Sequence, residues 1–126
     1  MRLFCDMDGV LADFDAGYER VTGTKLTPRD YRAEWTDVEW GDLRATAPNF
    51  FRDLPPMRDA HDLWAYIARH SPTILTGVPM EVSTSGNQKV EWVSLQPWLG
   101  PQVPIICCRS REKFHHCRPG DVLIDD

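Results

Sequence analysis

The chain of 126 residues is short of several things, and each shortage excludes a class of protein. No run approaches the roughly 18 consecutive apolar residues of a membrane span, so no membrane partner is expected. Basic residues are not in excess: 14 Lys and Arg face 19 Asp and Glu, and the net charge is −5. That balance argues against an extended surface for a nucleic acid polymer, which needs a basic stripe. No repeat or low-complexity tract is visible. No basic n-region precedes the apolar run that begins at Leu3, so no signal peptide is expected and a cytoplasmic location follows. Cysteine is limited to Cys5, Cys107, Cys108 and Cys117. In a cytosolic chain these are expected as free thiols, with Cys5 and Cys107–Cys108 acting as buried small hydrophobes. A zinc reading of Cys107, Cys108, His115, His116 and Cys117 lacks the C-x₂-C spacing that would carry it.

What is present is enough apolar residue, 42%, for one domain or one domain with a small insert. A chain of this size buries roughly two-thirds of its unfolded surface. The organising stretch is Leu3-Phe4-Cys5-Asp6-Met7-Asp8-Gly9-Val10-Leu11. Its apolar run suits a buried strand, and Asp-x-Asp-Gly ends it in an abrupt turn. Two carboxylates then stand at the carboxyl end of a strand, where open α/β sheets place their ligands. Two apart, Asp6 and Asp8 would share one face of a regular strand. Their mutual repulsion calls for a cation, and oxygen ligands favour Mg²⁺.

Further along, Phe14, Gly17, Tyr18 and Val21 keep helical spacing, with Gly23 as C-cap. Thr27-Pro28-Arg29-Asp30 reads as a helix start, followed by short helices over Tyr31 to Trp35 and Val38 to Ala45. Phe50 to Pro56 is an extended return. Ala60, Leu63, Trp64, Ile67 and Ala68 form an i, i+3, i+4, i+7, i+8 stripe within a helix from Asp59 to His70. Thr73 to Thr76 is a strand, residues 80–87 a polar loop, and Gln88 to Leu95 a helix. Val103 to Cys108 and Asp121 to Asp125 are the third and fourth strands. Alternating strands and helices imply a parallel sheet with right-handed crossovers. The expected fold is therefore α/β, Rossmann-like. Residues 1–12 and 57–126 form its core, and residues 13–56 a small helical cap inserted after the first strand. One sheet edge would then gather Asp6, Asp8, Thr76, Cys108, Asp125 and Asp126.

The string Asp6-Met7-Asp8-Gly9-Val10-Leu11 resembles motif I of the haloacid dehalogenase-like hydrolases. Ile74-Leu75-Thr76 resembles motif II, Lys113 the motif III lysine, and Val122-Leu123-Ile124-Asp125-Asp126 motif IV. Within that superfamily the chain is most similar to the 5′(3′)-deoxyribonucleotidases. The similarity lies in Asp6 to Phe14, in Phe50-Phe51-x-x-Leu54-x-Pro56, and in Lys89-Val90-Glu91-Trp92-Val93 followed by Leu99-Gly100-Pro101. The resemblance implies a Mg²⁺-dependent phosphomonoesterase acting on (deoxy)nucleoside monophosphates through an aspartyl-phosphate.

By that resemblance Asp6 is the nucleophile and Asp8 the general acid and base. Thr76 gives a hydroxyl to a phosphate oxygen and Lys113 supplies positive charge. Asp6, the Asp8 carbonyl and Asp126 would hold the metal, with Asp125 behind them. Phe14 and Phe51 match pocket aromatics, though core packing explains them equally. Trp35 and Trp40 could stack on a base or pack within the cap. Lys89 matches a position that could reach phosphate, or it is a surface lysine. Gly77 stands where these enzymes carry a second hydroxyl, leaving its N–H to donate. These enzymes continue beyond the motif IV acids, so either the sequence is shortened or the fold is minimal. A non-catalytic nucleotide- or phosphate-binding module is the alternative; a phosphomutase would need cap residues not identifiable in the sequence.

Overall fold

The computed structural model of the chain describes residues 1–27, 35, 37–80 and 82–126. The expected helix start at Pro28 to Asp30 and the helix leading to Trp35 lie outside the described residues. Four strands, β1 (Leu3–Cys5), β2 (Thr73–Gly77), β3 (Ile105–Cys108) and β4 (Val122–Ile124), form one wholly parallel sheet in the order β3-β2-β1-β4. The sheet is an α/β, Rossmann-like arrangement. β1 pairs with β2 on one side and β4 on the other, so it lies inside the sheet and is buried throughout. Strands covered on both faces read as continuous apolar runs, which Leu3-Phe4-Cys5 and Ile74-Leu75 are.

Four helices are described: α1 (Phe14–Thr22), α2 (Asp37–Thr46), α3 (Ala60–Ile67) and α4 (Ser85–Ser94). The caps of α1 follow its sequence. Asp13 accepts the Ala16 N–H at 3.0 Å, and Gly23 closes the helix at φ +72°. α3 buries Ala60, Trp64 and Ile67, as its stripe requires, and passes into a 3₁₀ turn at Ala68–His70. The buried indoles are satisfied: Trp64 donates to the Leu99 carbonyl at 3.0 Å and Trp92 to the Leu54 carbonyl at 2.7 Å.

α4 departs from the expected loop over residues 80–87, since it begins at Ser85. It buries Ser85, Gln88, Lys89, Trp92 and Val93, a regular helical stripe of which three members are polar. Val90 and Leu95, apolar in sequence, face outward at 48% and 59% exposure. Cys107 and Cys108 are half-buried rather than buried; only Cys5 is fully enclosed.

Residues 13–56 hold α1, α2 and a connected set of aromatic rings. Phe14 stands 5.2 Å from Phe50 and 5.9 Å from Trp35, and Trp35 stands 4.5 Å from Trp40. The two chain crossings into this segment are stitched together: Asp13 N–H donates to the Pro55 carbonyl and Met57 N–H to the Leu11 carbonyl, both at 2.7 Å. No described helix is long and apolar enough to cross a membrane.

Candidate active site

The site forms where β1 ends. Asp6 N–H still donates to the Ile124 carbonyl at 2.8 Å, extending the β1–β4 ladder by one bond. The chain then turns sharply. The Met7 carbonyl accepts from Val10, Leu11 and Ala12, while Gly9 adopts φ +80°. Only glycine takes that conformation at little cost. A Cβ at Gly9 would also collide with the Asp126 carboxylate, so the missing side chain lets β4's continuation approach the turn.

The turn corrects the expectation that Asp6 and Asp8 share a strand face. The strand stops at Cys5, and the two acids are met by different lysines. Asp6 Oδ1 accepts from Lys113 Nζ at 2.7 Å and from the Met7 N–H at 2.8 Å. Asp8 Oδ2 accepts from Lys89 Nζ at 2.8 Å, and Asp8 Oδ1 is buried without a partner among the described residues. Lys113 comes from a 3₁₀ turn, Ser110–His116, that follows β3, and it also lies 3.6 Å from Asp125.

Asp6, Asp125 and Asp126 converge, with one carboxylate oxygen of each within 4.8 Å of the others. Among the described residues this is the one His, Cys, Asp and Glu cluster with metal-ligand spacing; residues 107–117 contribute none. Burial, then the Asp125 carboxyl, pushes Asp6 up to about 7, against the pull of Lys113. Asp126 is also raised, by burial and by Asp125. Burial would lower Lys113, but its contacts with Asp6 and Asp125 outweigh that and hold it raised. Asp125 behaves oppositely to Asp6: burial alone would raise it, yet hydrogen bonds from Asp6 and from Asp126 leave it lowered. The neighbouring Cys5 thiol is pushed up to about 12 by burial and by Asp6 and Asp125, which makes it an inert wall. Crowded carboxylates with hard oxygen donors, one of them forced toward neutrality, fit a dication such as Mg²⁺.

Thr76, at the end of β2, is fully buried and its hydroxyl accepts from Lys89 Nζ at 2.9 Å. A Cβ at Gly77 would strike the Ser110 side chain, so that residue must lack one for the loop after β3 to settle. Lys89 is 0% exposed, which excludes the surface-lysine reading. Phe51 is 1% exposed; it packs in the core and its ring lies 5.0 Å from Lys89 Nζ. Phe14, by contrast, lines a cavity of about 410 Å³ together with Asp8, Trp35, Trp40, Met57 and Asp126. That volume is within the range of small-molecule sites. Sequence reasoning missed how Lys89 and Gln88 are held. The spacing 85, 88, 89, 92, 93, counted back from Trp92 and Val93, was the signal.

Comparison with known proteins shows the family to which the chain belongs. The family model described as "5′ nucleotidase, deoxy (Pyrimidine), cytosolic type C protein" matches residues 1–126. The human cytosolic-type 5′(3′)-deoxyribonucleotidase is 32% identical over 147 aligned positions, covering all of this chain and 70% of that protein. The human mitochondrial 5′(3′)-deoxyribonucleotidase is 26% identical over 145, covering 62% of its length. A Staphylococcus aureus relative is 32% identical over 80 residues, 63% of this chain and 42% of its own. The chain thus spans under half of the staphylococcal protein and about two-thirds of the human ones. With its whole length matched by the family model, the chain belongs to the cytosolic type C family of deoxy (pyrimidine) 5′ nucleotidases, within the haloacid dehalogenase-like class.

Proposed function

We propose that the protein is a Mg²⁺-dependent phosphomonoesterase acting on (deoxy)nucleoside monophosphates through an aspartyl-phosphate. The observation that carries the reading is the meeting of Asp6, Lys113, Asp125 and Asp126, the last of which lines an aromatic-walled cavity together with Asp8. Asp6 attacks phosphorus; a new bond forms from its carboxylate oxygen as the bond to the leaving oxygen breaks. Asp8 gives that oxygen a proton, and the nucleoside departs neutral. A water then attacks the phosphorus, returns a proton to Asp8, and frees phosphate and the Asp6 carboxylate. Lys113 offsets the charge of two anions brought together. Asp6, Asp126 and the Asp8 carbonyl would hold the metal, with Asp125 supporting them. Bound there, the cation supplies charge neutralisation. The Thr76 hydroxyl and the Gly77 N–H are the donors assigned to phosphate. Residues 13–56 act as a cap, with Phe14, Trp35 and Trp40 offering apolar faces to a base.

Phosphate release from a panel of deoxy- and ribonucleoside monophosphates, with and without Mg²⁺, tests this on wild type and Asp6→Asn. Metal-dependent release that is abolished in Asp6→Asn is the expected outcome. A folded wild type that releases no phosphate from any ester would overturn the reading.

A further inference from the structure

Lys89 sits inside the domain, on α4, with no surface of its own. An ammonium has three N–H donors and no acceptor. All three have protein acceptors: Asp8 Oδ2 at 2.8 Å, Thr76 Oγ1 at 2.9 Å and the Gly77 carbonyl at 2.6 Å. The Phe51 ring covers the ammonium at 5.0 Å. No donor is left for a phosphate oxygen. A buried charge is tolerated only when paired and hydrogen-bonded, and here the pairing runs entirely to the protein. The Asp8 carboxylate is left with one oxygen tied down and the other, Oδ1, without a partner among the described residues.

The adjacent Gln88 extends the arrangement. Its Oε1 accepts from the Phe51 N–H at 3.0 Å, and its Nε2 donates to the Pro48 carbonyl at 2.9 Å and to Thr84 Oγ1 at 2.8 Å. One turn of α4 thereby holds both Asp8 and the return segment that carries Phe51.

We propose that Lys89 is a positioning residue and not a phosphate ligand: it fixes the Asp8 carboxylate in one orientation beside the cavity, where the leaving oxygen is met, and it ties Asp8 to the tip of β2 through Thr76. This rests on Asp8 serving as the proton donor in the reaction proposed above. Its consequence is a dependence on the leaving group. A nucleoside leaves as an alcohol and needs a proton, whereas p-nitrophenolate leaves without one.

The experiment compares first-turnover alcohol release from deoxyuridine 5′-monophosphate and from p-nitrophenyl phosphate, in wild type and Lys89→Met. Release from the nucleotide is expected to fall about 10²-fold, the usual share of a general acid. Release of p-nitrophenolate stays within about threefold, and KM for both moves by less than about threefold, since Lys89 itself has no donor left for the substrate. Vanadate affinity by calorimetry is likewise unchanged. Equal loss on both esters, or vanadate binding weakened about tenfold or more, would make Lys89 a phosphate contact or a general prop and overturn the proposal.

If Lys89→Met does not fold, Asp8→Asn/Lys89→Met removes both charges and is compared with Asp8→Asn alone. Equal p-nitrophenolate rates support action through Asp8; a further loss of about tenfold overturns it. A wild type inert toward every ester defeats the phosphomonoesterase reading. The positioning contact is then decided by the Lys89 ammonium ¹H–¹⁵N signal. Slow exchange that is lost in Asp8→Asn supports it, and fast exchange in wild type rejects it.

Discussion

The two edges of the sheet carry one device with opposite results. At the amino edge Arg2 meets Asp121 at 2.8 Å; at the carboxyl edge Lys113 meets Asp6 at 2.7 Å. Each pair joins a residue flanking β1 to the connection between β3 and β4. Asp121 is held down at about 2, whereas Asp6 is pushed up to about 7. Distance to the cation cannot explain this, because the distances match. The difference is company. Asp121 receives the Arg118 N–H, the Arg2 guanidinium and the Arg2 N–H, all stabilising its charge. Asp6 is buried and shares its space with Asp125 and Asp126. An ion pair among donors has its charge fully stabilised, whereas an ion pair among like charges keeps a carboxyl raised despite the cation beside it.

The largest expected effect comes from removing the cation at the crowded edge. Lys113→Met should lower kcat about 10³-fold, as loss of one electrostatic stabiliser does. Arg2→Met, the same deletion at the other edge, should leave kcat unchanged. Steady-state kinetics on a nucleoside monophosphate decide it, and similar losses in both variants would erase the distinction between the edges.

A smaller effect is expected from the turn that lets the acids meet. Gly9→Ala forces a Cβ into φ +80° and against the Asp126 carboxylate. The strain should cost about 1–3 kcal/mol of stability by urea denaturation. The displaced carboxylate should cost about 10²-fold in kcat, as misplacements of about 1 Å do. A Gly9→Ala protein with wild-type turnover would show that Asp126 need not approach the turn.

Much of the carboxyl edge was legible in the sequence because it is written in strand ends. Asp6, Thr76 and Asp125 each follow a short apolar run, and parallel topology brings such ends together whatever lies between. The separation of Asp6 from Asp8 was not legible. It depends on β1 stopping at Cys5 and on the Met7 carbonyl taking three N–H groups. Lys89 was hidden for another reason. Its helix buries Ser85, Gln88 and Lys89, so hydrophobicity gave the wrong phase and drew attention to Val90 and Leu95. Phe14 and Phe51 look alike in sequence, yet Gln88 draws the Phe51 backbone inward while Phe14 lines the cavity.

The smallest effect concerns the quiet edge, and its sign is fixed by linkage. Asp121 titrates at about 2 in the folded chain, below the roughly 3.9 of an unfolded aspartate. A lowered folded pKa stabilises the fold above the unfolded value, and that contribution disappears as pH falls from about 4 toward 2. Asp121→Asn keeps the shape and loses the charge. It should therefore unfold at lower urea than wild type at pH 7, with the gap narrowing over the acid range and closing near its end. Because Arg2 is half exposed, added salt should shrink the gap at neutral pH as well. A gap that stays constant from neutral to acid pH would mean that the Asp121 charge adds nothing, and that the amino edge is held by its backbone bonds alone.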